Sequence, residues 1–163
     1  MTTYRFLTGA VVPVADRAAL SGLSTFHLER CFGCGPANQA GLGVRPRYEG
    51  DKVVAEFEFA PRFEGGPAVA HGGAIAAFMD DLLGFVMMAH QRPAVTARLQ
   101  IHYLLPVPLG LIVRGEAWPA ATEDRRLFAE GVGTAPDGRR LFEADGLFFE
   151  VGFEHFSARE SYP

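Results

Sequence analysis

Hydrophobic and polar positions along the chain alternate in short runs, interrupted once by a long apolar block. Ahead of the block, "GLGVRPRYEG" and "KVVAEFEFAP" follow a period of two, and the second run places Val53, Ala55, Phe57 and Phe59 on one face. Together they predict a hairpin that turns at Gly50 and Asp51. The block extends from about Gly72 to about His90 and predicts a helix, which Pro93 stops. Beyond it, "AVTARLQIHYLLP", "GLIVRGEAWPA" and "RRLFAEGVGTAPDGRRLFEADGLFFEVGF" predict three or four strands, separated by Pro-Val-Pro-Leu-Gly, Thr-Glu-Asp and the turn Pro136-Asp137-Gly138. Strands, one helix, then only strands is an α+β order, which predicts a curved antiparallel sheet around one long central helix. The helix is apolar on nearly every side, with Ala74, Ile75, Phe78, Met79, Leu82, Leu83, Val86 and Met87, so it must be wrapped almost completely. One curved sheet plus a second chain would do that.

Composition narrows the class. A chain of 163 residues with 48% hydrophobic and 21% charged residues has the make-up of one compact domain. Its net charge of -4 argues against a nucleic-acid partner, which would call for a basic patch. The N-terminal residues lack a basic segment followed by an apolar run, and no stretch approaches the roughly 18 apolar residues of a membrane span, so the expectation is a cytoplasmic protein with no membrane contact. Cys31 and Cys34 form a C-x-x-C spacing in "ERCFGCGPANQAGLG". A structural zinc needs four ligands and no second knuckle is present, while the glycine and proline that follow suit a loop. No metal is expected there.

Chemistry concentrates in "VAHGGAIAAFMDDLLGF", residues 69–85. The first turn of a helix has amides without intrahelical partners and the positive end of the dipole, so Gly72 and Gly73 offer donors for a carbonyl oxygen or oxyanion. Asp80 returns to nearly the same face seven residues after Gly73, about 10 Å farther along the axis. A base and its oxyanion donors must each lie within roughly 3 Å of the reacting group, so one helix cannot supply both. The pattern points to two such helices paired antiparallel, the amide end of one beside the aspartate of the other. Asp81, one residue on, is swung about 100 degrees around the helix and is the second candidate. Plainer roles stand beside these: a tight turn for the glycines, a structural histidine for His71, and strand propensity for Thr96.

The segment "AHGGAIAAFMDDLLG", with Thr96 sixteen residues after Asp80 in "AVTARLQIHYLLPVPLG", resembles the hotdog-fold acyl-CoA thioesterases. The likeness is to the phenylacetic-acid-degradation type of the 4-hydroxybenzoyl-CoA thioesterase-like superfamily and its mammalian relatives, over about Cys31 to Val151. The resemblance implies a hotdog thioesterase domain over residues 31–155, between an N-terminal extension (1–30) and a C-terminal tail (156–163). It implies an acyl-CoA substrate, no cofactor, and a homodimer or a homotetramer built as a dimer of dimers. In such enzymes the amide matching Gly72 polarises the thioester carbonyl, His71 holds the turn, Asp80 of the other subunit is general base or nucleophile, and Thr96 positions the water. Gly73, Phe78 and Asp81 are then the residues expected to face substrate. Relatives often have asparagine six residues before the histidine, where this chain has Gly65. Two alternatives share the fold: a non-catalytic acyl-CoA-binding protein, and an editing thioesterase acting on acyl-carrier protein.

Overall fold

The structure is a computed structural model and describes residues 29–89, 92–152 and 155. Most of the expected N-terminal extension, the tail 156–163 and His90 lie outside the described residues. Six strands form one antiparallel sheet in the order β1-β2-β6-β7-β8-β5: β1 (Arg47–Glu49), β2 (Lys52–Glu58), β5 (Ala94–Tyr103), β6 (Ile112–Glu123), β7 (Arg126–Thr134) and β8 (Arg140–Glu150). A two-stranded ribbon, β3 (Glu64–Gly66) and β4 (Val69–Ala70), leads into the single long helix α1 (Gly72–Ala89). The expected hairpin is β1–β2, closed by the pairing of Glu49 with Lys52.

The period-two run on β2 puts Val53, Ala55, Phe57 and then Phe59 into the core against α1, where Phe57 stacks on Phe78 at 5.1 Å and meets Phe59 edge-on at 4.9 Å. Burying Phe78 completely is worth about 1.5–3 kcal/mol. The helix can lie this close because the concave face lacks side chains where it crosses. A Cβ at Gly115 would fall 2.5 Å from Leu82 Cδ1, and one at Gly131 would fall 2.5 Å from Met79 Cε. At 18 residues and mean hydropathy 1.5, α1 is long and apolar enough to cross a membrane, contrary to the sequence expectation, because its two aspartates only dilute the apolar content. Here it packs on β2, β5, β6, β7 and β8 as a core helix.

One boundary and one element differ from expectation. Thr122 and Glu123, read as turn, belong to β6, because the register shift between Pro119 and Ala121 lets the strand absorb the proline and continue. The turn contracts to Asp124 and Arg125, with Asp124 at φ +55°. The ribbon β3–β4 is new to the picture. It turns at Ala68, whose N–H donates to Glu64 Oε1 at 2.8 Å, and Ala70 N–H reaches Val107 O at 2.8 Å.

Candidate active site

The ribbon delivers the chain to α1 through a turn organised by His71. The His71 N–H donates to Phe63 O at 2.7 Å, and its own carbonyl accepts from the amides of Ala74 and Ile75 at 3.0 and 3.2 Å. Its ring then folds back so that Nδ1 accepts the Gly73 N–H at 2.8 Å, a side-chain cap on the first turn. Only glycine fits beneath that ring, since a Cβ at Gly73 would lie 2.9 Å from Nδ1. A Cβ at Gly65 would lie 2.6 Å from His71 Cα, so the position where relatives often have asparagine is closed by backbone here. Gly73 therefore spends its amide inside the turn. The Gly72 N–H has no acceptor among the described residues. Tyr103, 53% exposed, donates its hydroxyl to Gly72 O at 2.8 Å and braces the peptide from the end of β5.

Asp80 sits half-buried farther along α1, and Thr96 Oγ1 on β5 donates to its Oδ1 at 2.9 Å. The register of β5 against β8 slips between Thr96 and Arg98, and this bulge keeps Thr96, Ala97 and Arg98 exposed in succession on an edge strand. Burial raises the Asp80 pKa above that of an ordinary aspartate, and the hydrogen bond from Thr96 opposes the rise. Gly73, Ala76, Asp80 and Gly84 form a stripe of small, incompletely covered positions along α1.

The neighbouring aspartate has a different setting. Asp81 is 8% exposed and lies under the Cys31–Gly35 loop, with Cys31 Sγ 3.9 Å from its Oδ1 and Oδ2 without a partner. Burial, moderated by the hydrogen bond from Cys34, lifts its pKa to about 7. Phe78 is fully enclosed among Phe57, Phe59 and Phe142. Both are residues expected to face substrate. The 100-degree step carries Asp81 under the loop, and Phe78 points at the sheet. An apolar groove of about 410 Å³ lined by Leu105, Pro106, Pro108, Leu111 and Leu141 includes neither aspartate. Of the arginines near the strands, Arg92 pairs with Glu150, Arg126 with Glu123 at 3.0 Å, and Arg114 with Glu49, Glu56 and Glu116, while Arg125 holds the Glu150 carbonyl at 2.8 Å.

Sequence reasoning had no access to Tyr103, whose only signal is a tyrosine at a strand end 31 positions from its acceptor. The link between Cys31 and Asp81, 50 positions apart, was equally hidden.

A curved antiparallel sheet around one helix, with a His-Gly-Gly turn at the helix start, is the hotdog fold. Residues 68–142 match the model of the thioesterase superfamily, so this stretch of the chain is similar to that family. It is 33% identical over 107 residues to the acyl-coenzyme A thioesterase THEM4 of Bos taurus, covering 65% of this chain and 44% of that protein. The chain thus spans less than half the length of such relatives. The PaaI protein of the phenylacetic acid degradation operon of E. coli superposes with TM-score 0.70 at 14% identity, over 83% of this chain and 94% of that one. The protein smu.793 of Streptococcus mutans, solved bound to acetyl CoA, superposes with TM-score 0.63 at 21% identity, over 67% and 89%.

Proposed function

We propose that the chain hydrolyses acyl-CoA thioesters in a homodimer whose α1 helices pair antiparallel, so that Asp80 of one copy works with the Gly72 amide of the other. The observation that carries this reading is the Thr96–Asp80 hydrogen bond, which fixes one carboxylate oxygen of a half-buried base and leaves the other to take a proton. Asp80 removes a proton from water as the oxygen attacks the thioester carbonyl, and the Gly72 N–H receives the developing oxyanion. Collapse expels the CoA thiolate, and the proton held by Asp80 returns to it or to solvent. A thiolate is a good enough leaving group that the demands on the protein reduce to a base and charge stabilisation.

The dimer is supported by the ten-residue edge strand β5, which has no neighbour on one side among the described residues, and by the stripe of small residues, which permits close approach of a second helix. The relative's name and the acetyl-CoA-bound neighbour point to the same substrate class. The test is free-thiol release from a panel of acyl-CoA and acyl-carrier thioesters by the wild type and Asp80→Asn. Turnover that depends on Asp80 supports the reading, and preference between the two panels tells coenzyme A from carrier protein. Undiminished turnover in Asp80→Asn overturns the mechanism. Binding of CoA esters without turnover makes the chain an acyl-CoA-binding protein instead.

A further inference from the structure

Hydrolysis makes no use of Cys31 and Cys34, yet among the described residues they meet Asp81 in one compact group. The two sulfurs and a carboxylate oxygen lie within 4.8 Å of one another. We propose that this group binds zinc in an open site, with Cys31, Cys34 and Asp81 as three ligands and a water entering from the half-exposed Cys31 side as the fourth. Tetrahedral zinc with bonds near 2.3 Å to sulfur and about 2.0–2.2 Å to oxygen sets a sulfur and an oxygen ligand about 3.6 Å apart, and Cys31 Sγ stands 3.9 Å from Asp81 Oδ1. Thiolate ligands select zinc over magnesium or calcium.

Three features show that the loop is shaped for this. Gly35 N–H closes the Cys-x-x-Cys turn on Cys31 O at 3.0 Å, and Leu42 and Val44 donate to Phe32 O and Gly33 O at 2.8 and 2.9 Å, so both cysteines are anchored by backbone. Gly33 lets that backbone settle on the carboxylate, since a Cβ there would lie 2.2 Å from Asp81 Oδ1. Asp81 Oδ2 is buried and has no hydrogen-bond donor among the described residues, which leaves it an unmatched acceptor. Arg45, whose Nη1 bonds Cys34 O at 3.0 Å, offsets the excess negative charge that two thiolates and a carboxylate bring to a divalent cation. Binding displaces the two thiol protons, and any proton on Asp81, to solvent. A loop and α1 would then be clamped together next to Asp80. This site stands independently of the hydrolytic reading.

The test uses the full chain, purified reduced and without chelator. Elemental analysis is expected to find zinc close to one per chain. After stripping, cobalt(II) should restore that stoichiometry with thiolate-to-cobalt charge-transfer absorption and tetrahedral visible bands. Cys34→Ser and Asp81→Asn, checked for folding by circular dichroism, should each weaken zinc binding by more than about tenfold, the loss that even an outer-shell partner causes. Half-exposed Cys31→Ser serves if either misfolds. The proposal is overturned if stripped wild type takes up no cobalt with thiolate charge transfer, if it forms a Cys31–Cys34 disulfide in place of metal uptake under reducing conditions, or if Asp81→Asn binds zinc as the wild type does.

Discussion

Asp80 and Asp81 are the same residue at adjacent positions of one helix, and the fold separates them into two environments. Asp80 looks across an uncovered stripe to a hydroxyl on an edge strand, while Asp81 points into a sealed space beneath a loop with two thiols. Both carboxyls are shifted upward by burial, so the shift alone does not tell them apart. Access does. A base must reach substrate, and a buried carboxylate with an orphaned oxygen cannot. Perturbed titration therefore marks both, and the hydrogen-bond donor available to each decides its chemistry.

The strongest way to break this contrast is Asp80→Asn. Loss of a general base should lower kcat/KM for acyl-CoA by about 10²–10⁴-fold in the thiol-release assay. Thermal stability at neutral pH should stay level or rise slightly, because burial disfavours the charge that asparagine lacks, while its side-chain oxygen can still accept from Thr96. An equal loss of activity and of Tm would instead make Asp80 structural. Co-expression sharpens the point. Gly72→Pro removes the amide at the first helical position, where proline is tolerated, and should inactivate the homodimer as Asp80→Asn does. If the two groups act across the interface, mixed dimers contain one intact site, and co-expressed variants should recover about a quarter of wild-type activity by random pairing. No recovery would place both groups in one copy.

Gly33→Ala attacks the other aspartate. Its Cβ would meet the Asp81 carboxyl and must push the loop off α1, at a cost of about 1–3 kcal/mol, read as a lower midpoint in urea unfolding. Residual activity per folded molecule should exceed that of Asp80→Asn. A silent Gly33→Ala would mean that the loop does not rest on Asp81.

How far these roles were legible follows from range. The alternation at Val53, Ala55, Phe57 and Phe59 and the apolar block of α1 are local patterns, and they survive in the fold because the core rewards the same faces that the pattern marks. The distinction between Asp80 and Asp81 was likewise readable, since helical phase alone separates them by about 100 degrees. The ribbon β3–β4 was not, because Glu64–Gly66 and Val69–Ala70 are too short and glycine-rich to carry a period. Nor was the sequestering of the Gly73 amide. That depends on the side-chain rotamer of His71, about which spacing says nothing. The cover over Asp81 was hidden for a related reason: its loop lies some fifty residues earlier and reveals itself only through the missing Cβ of Gly33.

The smallest effect tests how Asp80 is tuned rather than whether it acts. Thr96→Val keeps the strand propensity and shape but removes the hydroxyl that donates to Oδ1 at 2.9 Å. Thr96 is exposed, so its bond is set at the about 1–1.5 kcal/mol of an ordinary intramolecular hydrogen bond, and kcat should fall roughly five- to tenfold while KM stays nearly constant. The pH profile carries the decisive sign. With Asp80 as the proposed base, activity should require its ionised form and be lost as pH falls through its folded pKa, which burial already sets above 3.8. The Thr96 bond lowers that pKa, so deleting it must move the acid limb to higher pH. An acid limb that moves down, or a change in KM alone, would mean that Thr96 orients substrate or water and that its bond to Asp80 does not set the base.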